Sequence, residues 1–357
     1  MGNNPSVSST PKMAVVKKLI PLLTCGEPGR TRGIEVFLTG LHPLALKDET
    51  ERELDIRVVT GETFGRTPAV AWDLLPMPLY RAHNWHCLNT TRQPYGVIYT
   101  SLGCPFSCSF CNIHTLYPSH SIKFRDPQEI IQEIDTLVNK YQVRNLKFWD
   151  ELFTLSDKHV GVICKLLIER QYDLNIWAYA RVGSVNPPLL ELMRRAGITW
   201  LAYGFESGCD ADLKALNKHS TIQMARDAVR MTHEAGINVI GNFLFGLSHD
   251  ELVLPFAQSL ELEYVNFYVM KPYPGSSLYT GENMDWASYS QFQGTHTARD
   301  KAFNDFFNDP EYLARIEQKF GAEGVNNIRA MLAFGKPMDL ASCPEKSRFM
   351  VSGPVPT

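Results

Sequence analysis

From Tyr95 onward, the chain alternates between two patterns of apolar and polar positions. Short runs rich in β-branched and aromatic residues predict strands, and the amphipathic segments between them predict helices. The predicted strands are residues 95–102, 145–150, 175–180, 199–205, 238–245 and 264–270. This alternation predicts an α/β fold with a parallel sheet and right-handed crossovers, either open or closed into a barrel. Functional side chains are then expected at the carboxyl ends of the strands.

The predicted helices carry their own start and stop signals. Helix starts are expected at Asp126-Pro127, Ser156, Asn186-Pro187 and Ser220, the last forming a capping box with Gln223. Gly197 and Gly236 are expected to end helices just before the next strand. Before the first barrel strand only residues 35–39 read as a strand, and residues 285–334 read as helical.

Composition narrows the class of protein. The chain has 357 residues, of which 44% are hydrophobic, and a net charge of −3, so it lacks the cationic surface that nucleic acid binding needs. No apolar run approaches the length of about 20 residues that spans a membrane, so a cytoplasmic protein without a membrane partner is expected. Eight cysteines in a chain of this length do not indicate a disulfide scaffold.

Three of those cysteines lie together directly after the first predicted barrel strand. Cys104, Cys108 and Cys111 form a Cys-x3-Cys-x2-Cys loop, whereas complete protein ligation of a cubane iron-sulfur cluster needs four cysteines. One iron would stay open and could bind S-adenosylmethionine (SAM). The alternatives are a zinc site with His114 or a distant cysteine as fourth ligand, and three structural cysteines that are close by chance.

The same loop reads Cys-x3-Cys-x-aromatic-Cys, with Phe110 as the aromatic residue, and resembles the motif of the radical SAM superfamily. The similarity extends over residues 72–279. It implies a partial (β/α)6 TIM-like barrel, with a 4Fe-4S cluster and SAM as cofactors. It also implies a small-molecule substrate and a flavodoxin- or ferredoxin-type electron donor.

The resemblance also implies roles for single residues. Phe110 would lie near the SAM adenine, and Asp150 and Glu151, after the second strand, would receive the SAM amino group. Arg181 would pair with the SAM carboxylate, and Glu206 would hold the ribose hydroxyls. The alternative for Arg181 and Glu206 is a loop position or an ion pair. No catalytic residue beyond the cluster and SAM contacts is assigned.

Segments such as WDLLPMPLYRAHNWHC resemble the subgroup that carries an amino-terminal cobalamin-binding domain. Members of that subgroup bind cobalt through the histidine of an Asp-x-His-x-x-Gly motif. The nearest match here is Asp157-Lys158-His159, but position 162 is Val and the segment lies on a predicted helix, so a structural role is expected. Residues 36–62 resemble only the end of such a domain, a short remnant of a Rossmann-like fold. Cobalamin is therefore an open third cofactor.

These patterns divide the chain into five parts. They are a disordered tail (1–12), a truncated cobalamin-binding-like region with a linker (13–93), a radical SAM core (94–280), a helical region (281–335) and a loose tail (336–357). His83, His86 and Cys87 lie just before the core. Packing between domains is the expected role of these three residues, with contact to substrate or cofactor as the alternative.

The leading functional hypothesis is reductive cleavage of SAM to a 5'-deoxyadenosyl radical that serves methylation of an unactivated carbon in a small molecule. Two alternatives stay open: a cobalamin-independent rearrangement, epimerisation or cyclisation, and a catalytically silent cluster-binding protein. A transfer-RNA methylthiotransferase is disfavoured, because only Cys25 and Cys87 precede the motif and the carboxyl end is not basic.

Overall fold

The computed structural model describes residues 36–38, 41–59, 70–281 and 297–334, together with Met13, Val16, Lys17 and Ile20. The predicted tails at 1–12 and 336–357 lie outside these residues, as do positions 282–296. The main sheet comprises β3 (Tyr95–Ile98), β6 (Asn145–Phe148), β7 (Asn175–Ala180), β8 (Ile198–Glu206), β9 (Asn238–Phe245) and β10 (Tyr264–Val269). Short strands outside it are β1 (Phe37–Leu38), β2 (Arg57–Val58), β4 (Ser101–Leu102) and β5 (Lys123–Phe124).

All six strands of the main sheet run parallel, and their spatial order follows the chain order from β3 to β10. Each strand of the main sheet therefore pairs with the next main-sheet strand along the chain, as in a barrel wall. Among the described residues, β3 and β10 share no pairing, so the wall is an open partial barrel. The predicted α/β fold with a parallel six-stranded sheet is confirmed.

The predicted strand at 95–102 is wrong in its second half. The barrel strand β3 ends at Ile98, and β4 instead pairs antiparallel with β5, with Ser101 opposite Phe124. The physical reason is the Asp150 side chain, which accepts hydrogen bonds from the backbone and hydroxyl of Thr100 and draws the chain out of the sheet register.

The helices cover the outer face of the sheet and the two flanks. They are α1 (Leu41–Ala45), α2 (Lys47–Leu54), α3 (Pro127–Tyr141), α4 (Asp157–Arg170), α5 (Pro187–Arg195), α6 (Asp210–Ala215), α7 (Ile222–Glu234), α8 (Val253–Ser259), α9 (Thr297–Phe307) and α10 (Pro310–Phe334). None of these described helices has the length and apolar composition that crossing a lipid bilayer requires.

Three predicted helix starts are confirmed by side-chain caps. Asp126, Ser156 and Asn186 each accept a hydrogen bond from a backbone N–H in the first turn of the following helix. The start predicted at Ser220 is wrong by one residue, because Thr221 accepts the hydrogen bond from the Met224 N–H at 3.2 Å. Gly197 and Gly236 follow helix ends with positive φ, as predicted.

Residues 83–88 close the amino end of the barrel, and we call them the amino-end plug. Trp85 is buried, with its ring centroid 5.1 Å from that of Trp177 and 5.7 Å from that of Trp200. Asn175 Nδ2 donates to the His86 carbonyl at 3.0 Å. The Cys87 thiol lies 3.2 Å from the Asn145 amide oxygen. These contacts agree with the packing role expected for this segment.

Candidate active site at the carboxyl end of the barrel

A cavity of about 170 Å³ opens at the carboxyl ends of the barrel strands, and we call it the carboxyl-end cavity. It is lined by Cys104, Cys108, Phe110, Cys111, Ile113, Asp150, Glu151, Leu152, Tyr179, Ala180, Arg181, Gly204, Glu206, Lys218, Asn242, Leu244, Tyr268 and Tyr273. All eight residues predicted as metal or cofactor ligands line this one cavity. The segments after β3, β6, β7 and β8 each contribute, because parallel strands direct their carboxyl ends to the same edge.

The cysteine loop is anchored through its backbone. Ser109 N–H donates to the Leu216 carbonyl at 3.0 Å, and its own carbonyl accepts from Ser277 Oγ at 3.0 Å. Asn217 Nδ2 donates to the Ser107 carbonyl at 2.8 Å. Because backbone groups make these attachments, the three thiols stay free, and none of them forms a disulfide.

Burial also sets the protonation of these thiols. It raises the pKa of Cys111 to about 12 and shifts the pKa of Cys104 in the same direction. At neutral pH both thiols are therefore protonated until a metal takes the place of the proton, which is the usual coupling between metal binding and proton release.

The side chains around the cysteine loop indicate whether a fourth ligand for a zinc ion is at hand. His114 turns away from the cavity: its Nε2 lies 2.9 Å from the Phe106 carbonyl, and its ring stacks on His120 at 3.5 Å between centroids. Among the described residues that line the cavity, no fourth cysteine and no histidine is present. The donor set thus suits a cluster with one open iron better than a structural zinc ion, which takes four protein ligands.

Arg181 is a buried cation that lines the cavity. Its guanidinium carbon lies 3.8 Å above the ring of Phe106, and Nη1 lies 3.8 Å from the Cys108 sulfur. Its Nη2 is buried and has no hydrogen-bond partner in the described part of the chain. A guanidinium stays charged at all physiological pH values, so this unpaired donor favours an anionic ligand such as a carboxylate.

Glu206 forms an ion pair rather than standing alone. Lys218 Nζ lies 2.5 Å from Glu206 Oε1, and both side chains are buried. The same ammonium lies 5.6 Å from the ring centroid of Phe110. A Cβ atom on Gly204 would come within 2.4 Å of Glu206 Oε1 and 2.8 Å of Lys218 Nζ, so a larger residue at this position would displace the ion pair. Glu206 itself has φ of +68°, an uncommon backbone conformation for a residue with a side chain.

The two acidic residues after β6 have different partners. Asp150 is fully buried and accepts from Thr100 N–H at 2.7 Å, Thr100 Oγ1 at 2.5 Å and Ser101 Oγ at 2.6 Å. Glu151 accepts from the Gly103 N–H at 3.0 Å and from its own backbone N–H. Burial raises the pKa of Glu151 to about 7. Asp150 therefore fastens the strand end that leads into the cysteine loop, while Glu151 lines the cavity.

The sequence analysis missed Lys218, which lines the cavity, and Lys147, a buried cation that is not among the cavity-lining residues. Lys218 comes from the segment after α6, and no strand-end rule points to it. Lys147 is fully buried on β6, with its ammonium 4.1 Å from the ring centroids of Trp149 and Trp177, and burial lowers its pKa. Only the alternation of β6, which turns Lys147 to the barrel interior beside Asn145, could have signalled it.

His159, the nearest match to a cobalt-binding motif, does not face the cavity. Its Nε2 lies 3.2 Å from the Thr100 carbonyl, and its ring lies 4.6 Å from that of Phe124. The histidine thus joins α4 to the hairpin of β4 and β5, which agrees with the structural role expected for it.

A cysteine triad after the first strand of a parallel partial barrel faces a cavity with a buried arginine, which is the arrangement that the resemblance to the radical SAM superfamily implies. Residues 98–252 match the family model of the Radical SAM superfamily, and this part of the chain is a radical SAM domain.

Two relatives share less than 30% sequence identity with this chain. An uncharacterized methyltransferase of Pyrococcus horikoshii is 29% identical over 239 residues, 62% of this chain and 49% of that protein. Bacteriochlorophyllide d C-12(1)-methyltransferase of Chlorobaculum tepidum is 25% identical over 304 residues, 75% of this chain and 65% of that protein. The chain thus spans about half to two thirds of the length of these two relatives.

A solved structure shares the fold. It is the radical SAM methyltransferase TsrM of Kitasatospora setae, with cobalamin and a 4Fe-4S cluster bound, at a TM-score of 0.58 and 16% identity. The similarity covers 77% of this chain and 61% of TsrM. At this level of identity the comparison shows the fold alone, and it confirms the TIM-like architecture.

Proposed function

We propose that the carboxyl-end cavity holds a 4Fe-4S cluster on Cys104, Cys108 and Cys111, with SAM beside it. The observation that carries this proposal is the convergence of the three free thiols and the unpaired Nη2 of Arg181 on one cavity. Three thiolates leave one iron for SAM, and the arginine supplies a charge for the SAM carboxylate.

The other residues of the cavity would position the SAM molecule. Glu151, at the cavity wall, would receive the amino group, and Glu206, held by Lys218, would accept hydrogen bonds from the ribose hydroxyls. Phe110 would contact the adenine. Asp150 is a positioning residue in this proposal, because its hydrogen bonds to Thr100 and Ser101 fix the start of the cysteine loop.

When bound on Cys104, Cys108 and Cys111 and reduced by a flavodoxin- or ferredoxin-type donor, a cluster would supply the electron for reductive cleavage of SAM to methionine and a 5'-deoxyadenosyl radical. The chain's own contribution is to orient SAM and to exclude water, for which the half-buried rings of Tyr179 and Tyr268 at the cavity wall are suited.

For the reaction that follows, we propose methylation of an unactivated carbon in a small-molecule substrate. The names of the relatives, several of which are methyltransferases, support this choice. We also propose that residues 94–280 act as the catalytic core and that the segments on either side complete the substrate site.

A second candidate is hydrogen abstraction without cobalamin, for rearrangement, epimerisation or cyclisation. His159, in the nearest match to a cobalt-binding motif, contacts Thr100 and Phe124 and is not placed to bind cobalt. This observation favours the candidate without cobalamin. An equilibrium titration with hydroxocobalamin distinguishes the two candidate functions. A methyltransferase of the cobalamin type binds hydroxocobalamin, and a cobalamin-independent enzyme does not.

The products of SAM turnover test the proposal. Anaerobically reconstituted protein is mixed with dithionite and SAM, and 5'-deoxyadenosine and S-adenosylhomocysteine are quantified. Formation of 5'-deoxyadenosine is expected, and S-adenosylhomocysteine in addition if methyl transfer occurs. An intact cluster that yields neither product would support the third candidate, a catalytically silent cluster-binding protein.

A further inference from the structure

A second group of metal-ligand side chains lies on the rim of the barrel, outside the set that lines the carboxyl-end cavity. It consists of Cys209, Asp212 and His249, whose donor atoms all lie within 4.8 Å of one another. Cys209 and Asp212 belong to the start of α6, after β8, and His249 lies in the loop after β9. Two neighbouring strands of the sheet thus bring the three residues together.

The carboxylate at the centre of this group is held in place. Asp212 is buried, and its Oδ1 lies 2.8 Å from His249 Nδ1. Its Oδ2 accepts from Ser207 Oγ at 2.9 Å, and Ser207 Oγ in turn accepts from the Cys209 N–H at 3.1 Å. Ser207 therefore orients the carboxylate as outer-shell residues do in metal sites.

We propose that Cys209, Asp212 and His249 bind a Zn²⁺ ion. Thiolate, imidazole and carboxylate are the three ligand types that zinc takes in proteins, and one thiolate with one carboxylate neutralises its charge. Zinc bonds of about 2.0 to 2.3 Å place tetrahedral donors roughly 3.3 to 3.8 Å apart, so side-chain adjustments of about 1 Å or less suffice. The fourth position would hold water.

The site would join two loops of the catalytic rim. A Cβ atom on Gly208 would lie 2.3 Å from the Leu252 carbonyl, so the loops after β8 and β9 already touch. Glu206 lies three residues before Cys209, and zinc would therefore fix the loop that carries Glu206. This proposal is independent of SAM chemistry and can fail without affecting it.

The competing interpretation is a plain His249–Asp212 ion pair, which does not involve the thiol. The two interpretations differ in what Cys209 does. Holoprotein with a fully reconstituted cluster is incubated with Zn²⁺ alone, desalted and analysed for zinc, iron and sulfide. About one zinc ion per chain is expected in addition to the cluster iron.

The variants Cys209→Ser and His249→Gln are expected to lower zinc affinity more than roughly 100-fold, the upper end for loss of an outer-shell partner. Ser207→Ala is expected to lower it roughly 10- to 100-fold. Matched controls are Cys164→Ala, a buried cysteine on α4, and His219→Gln, an exposed histidine, and both should retain zinc. Iron content, measured in parallel, reports folding.

Binding of Co²⁺ provides the second measurement. In the Cys104→Ala/Cys108→Ala/Cys111→Ala variant, a thiolate-to-cobalt charge-transfer band is expected to persist, and addition of Cys209→Ser should remove it. Absence of zinc from the wild-type holoprotein, or equal zinc in His249→Gln, would overturn the proposal. His249 is half-exposed, so its replacement leaves the fold intact and the result interpretable.

Discussion

The two ends of the barrel contain similar residues and differ in what surrounds them. The amino-end plug, residues 83–88, contains two histidines and a cysteine, and the carboxyl-end cavity contains three cysteines with an arginine. In the plug, side chains pack on the barrel aromatics and on Asn145 and Asn175. In the cavity, the thiols face open space. Metal-binding residue types are therefore informative only together with their position relative to the strand ends.

The buried polar atoms without hydrogen-bond partners also differ between the plug and the cavity. Both ring nitrogens of His86 are buried and unpaired within the described residues, yet burial lowers the pKa of His86 to about 3, so the ring is neutral. Arg181 is charged and also has an unpaired buried nitrogen. An unpaired neutral imidazole costs about 1 to 3 kcal/mol, and an unpaired cation costs more unless a ligand completes it. The plug residues thus serve the stability of the fold, whereas the cavity residues are suited to bind a ligand.

The largest expected difference between the two ends concerns iron. Cys108→Ala is expected to abolish the cluster, because two thiolates cannot hold it, whereas Cys87→Ala should leave it intact. Iron and sulfide per chain after anaerobic reconstitution check this. Equal iron in the two variants would contradict the assignment of the metal site to the carboxyl end.

The free energy of unfolding, unlike the iron content, should depend on the amino-end plug. Trp85→Ala removes a buried indole from the plug and is expected to lower the free energy of unfolding by about 3 to 5 kcal/mol. Denaturant titration of the reconstituted protein measures the change. At a temperature where the variant stays folded, its iron content should match that of wild type. A loss of less than about 1 kcal/mol in the free energy of unfolding would show that the plug is dispensable for packing.

Arg181→Met is expected to weaken SAM binding roughly 10- to 100-fold, as loss of a charge-assisted hydrogen bond of about 1.5 to 3 kcal/mol implies. Stability should stay unchanged or rise, since a buried charge without a full set of partners is removed. Equilibrium dialysis with SAM and a parallel unfolding curve distinguish this residue from a structural one. Arg181→Lys should be intermediate, because it retains charge without the planar fork.

Asp150→Ala is expected to cost about 1 to 3 kcal/mol of unfolding free energy, because Thr100 N–H loses its acceptor in a buried position. Glu151→Gln, the matched control, keeps an acceptor for the Gly103 N–H and should cost less than about 1 kcal/mol. Comparison of the two unfolding curves checks the division of roles. An equal cost in both variants would contradict it.

The smallest effect is the pH dependence of the plug. The folded-state pKa of His86 lies near 3, below its ordinary value of 6.5, so between these values the unfolded chain binds more protons. The contribution of His86 to stability is complete above pH 6.5 and falls by about 1.4 kcal/mol per pH unit below it. His86→Gln should show a shallower slope in denaturant midpoints measured from pH 7 to 5. An identical slope would assign the titration to other groups.

The sequence predicted much of the fold because strand periodicity and helix caps are local signals. The break of the first strand at Tyr99 was missed, since it depends on Asp150, which is distant in the chain. The eight cavity residues were predicted from strand ends and motif, but the partners that decide their roles were not. Lys218 beside Glu206 and the three donors to Asp150 come from tertiary packing, which periodicity does not encode.

The central claim is that the carboxyl-end cavity cleaves SAM with a cluster held by three cysteines. Its most direct measurement is the yield of 5'-deoxyadenosine from anaerobically reconstituted wild-type, Cys108→Ala and Cys87→Ala proteins after dithionite reduction with SAM. The account predicts product from wild type and Cys87→Ala and none above background from Cys108→Ala. Wild-type protein with a complete cluster and bound SAM but no 5'-deoxyadenosine, or product from Cys108→Ala, would contradict it.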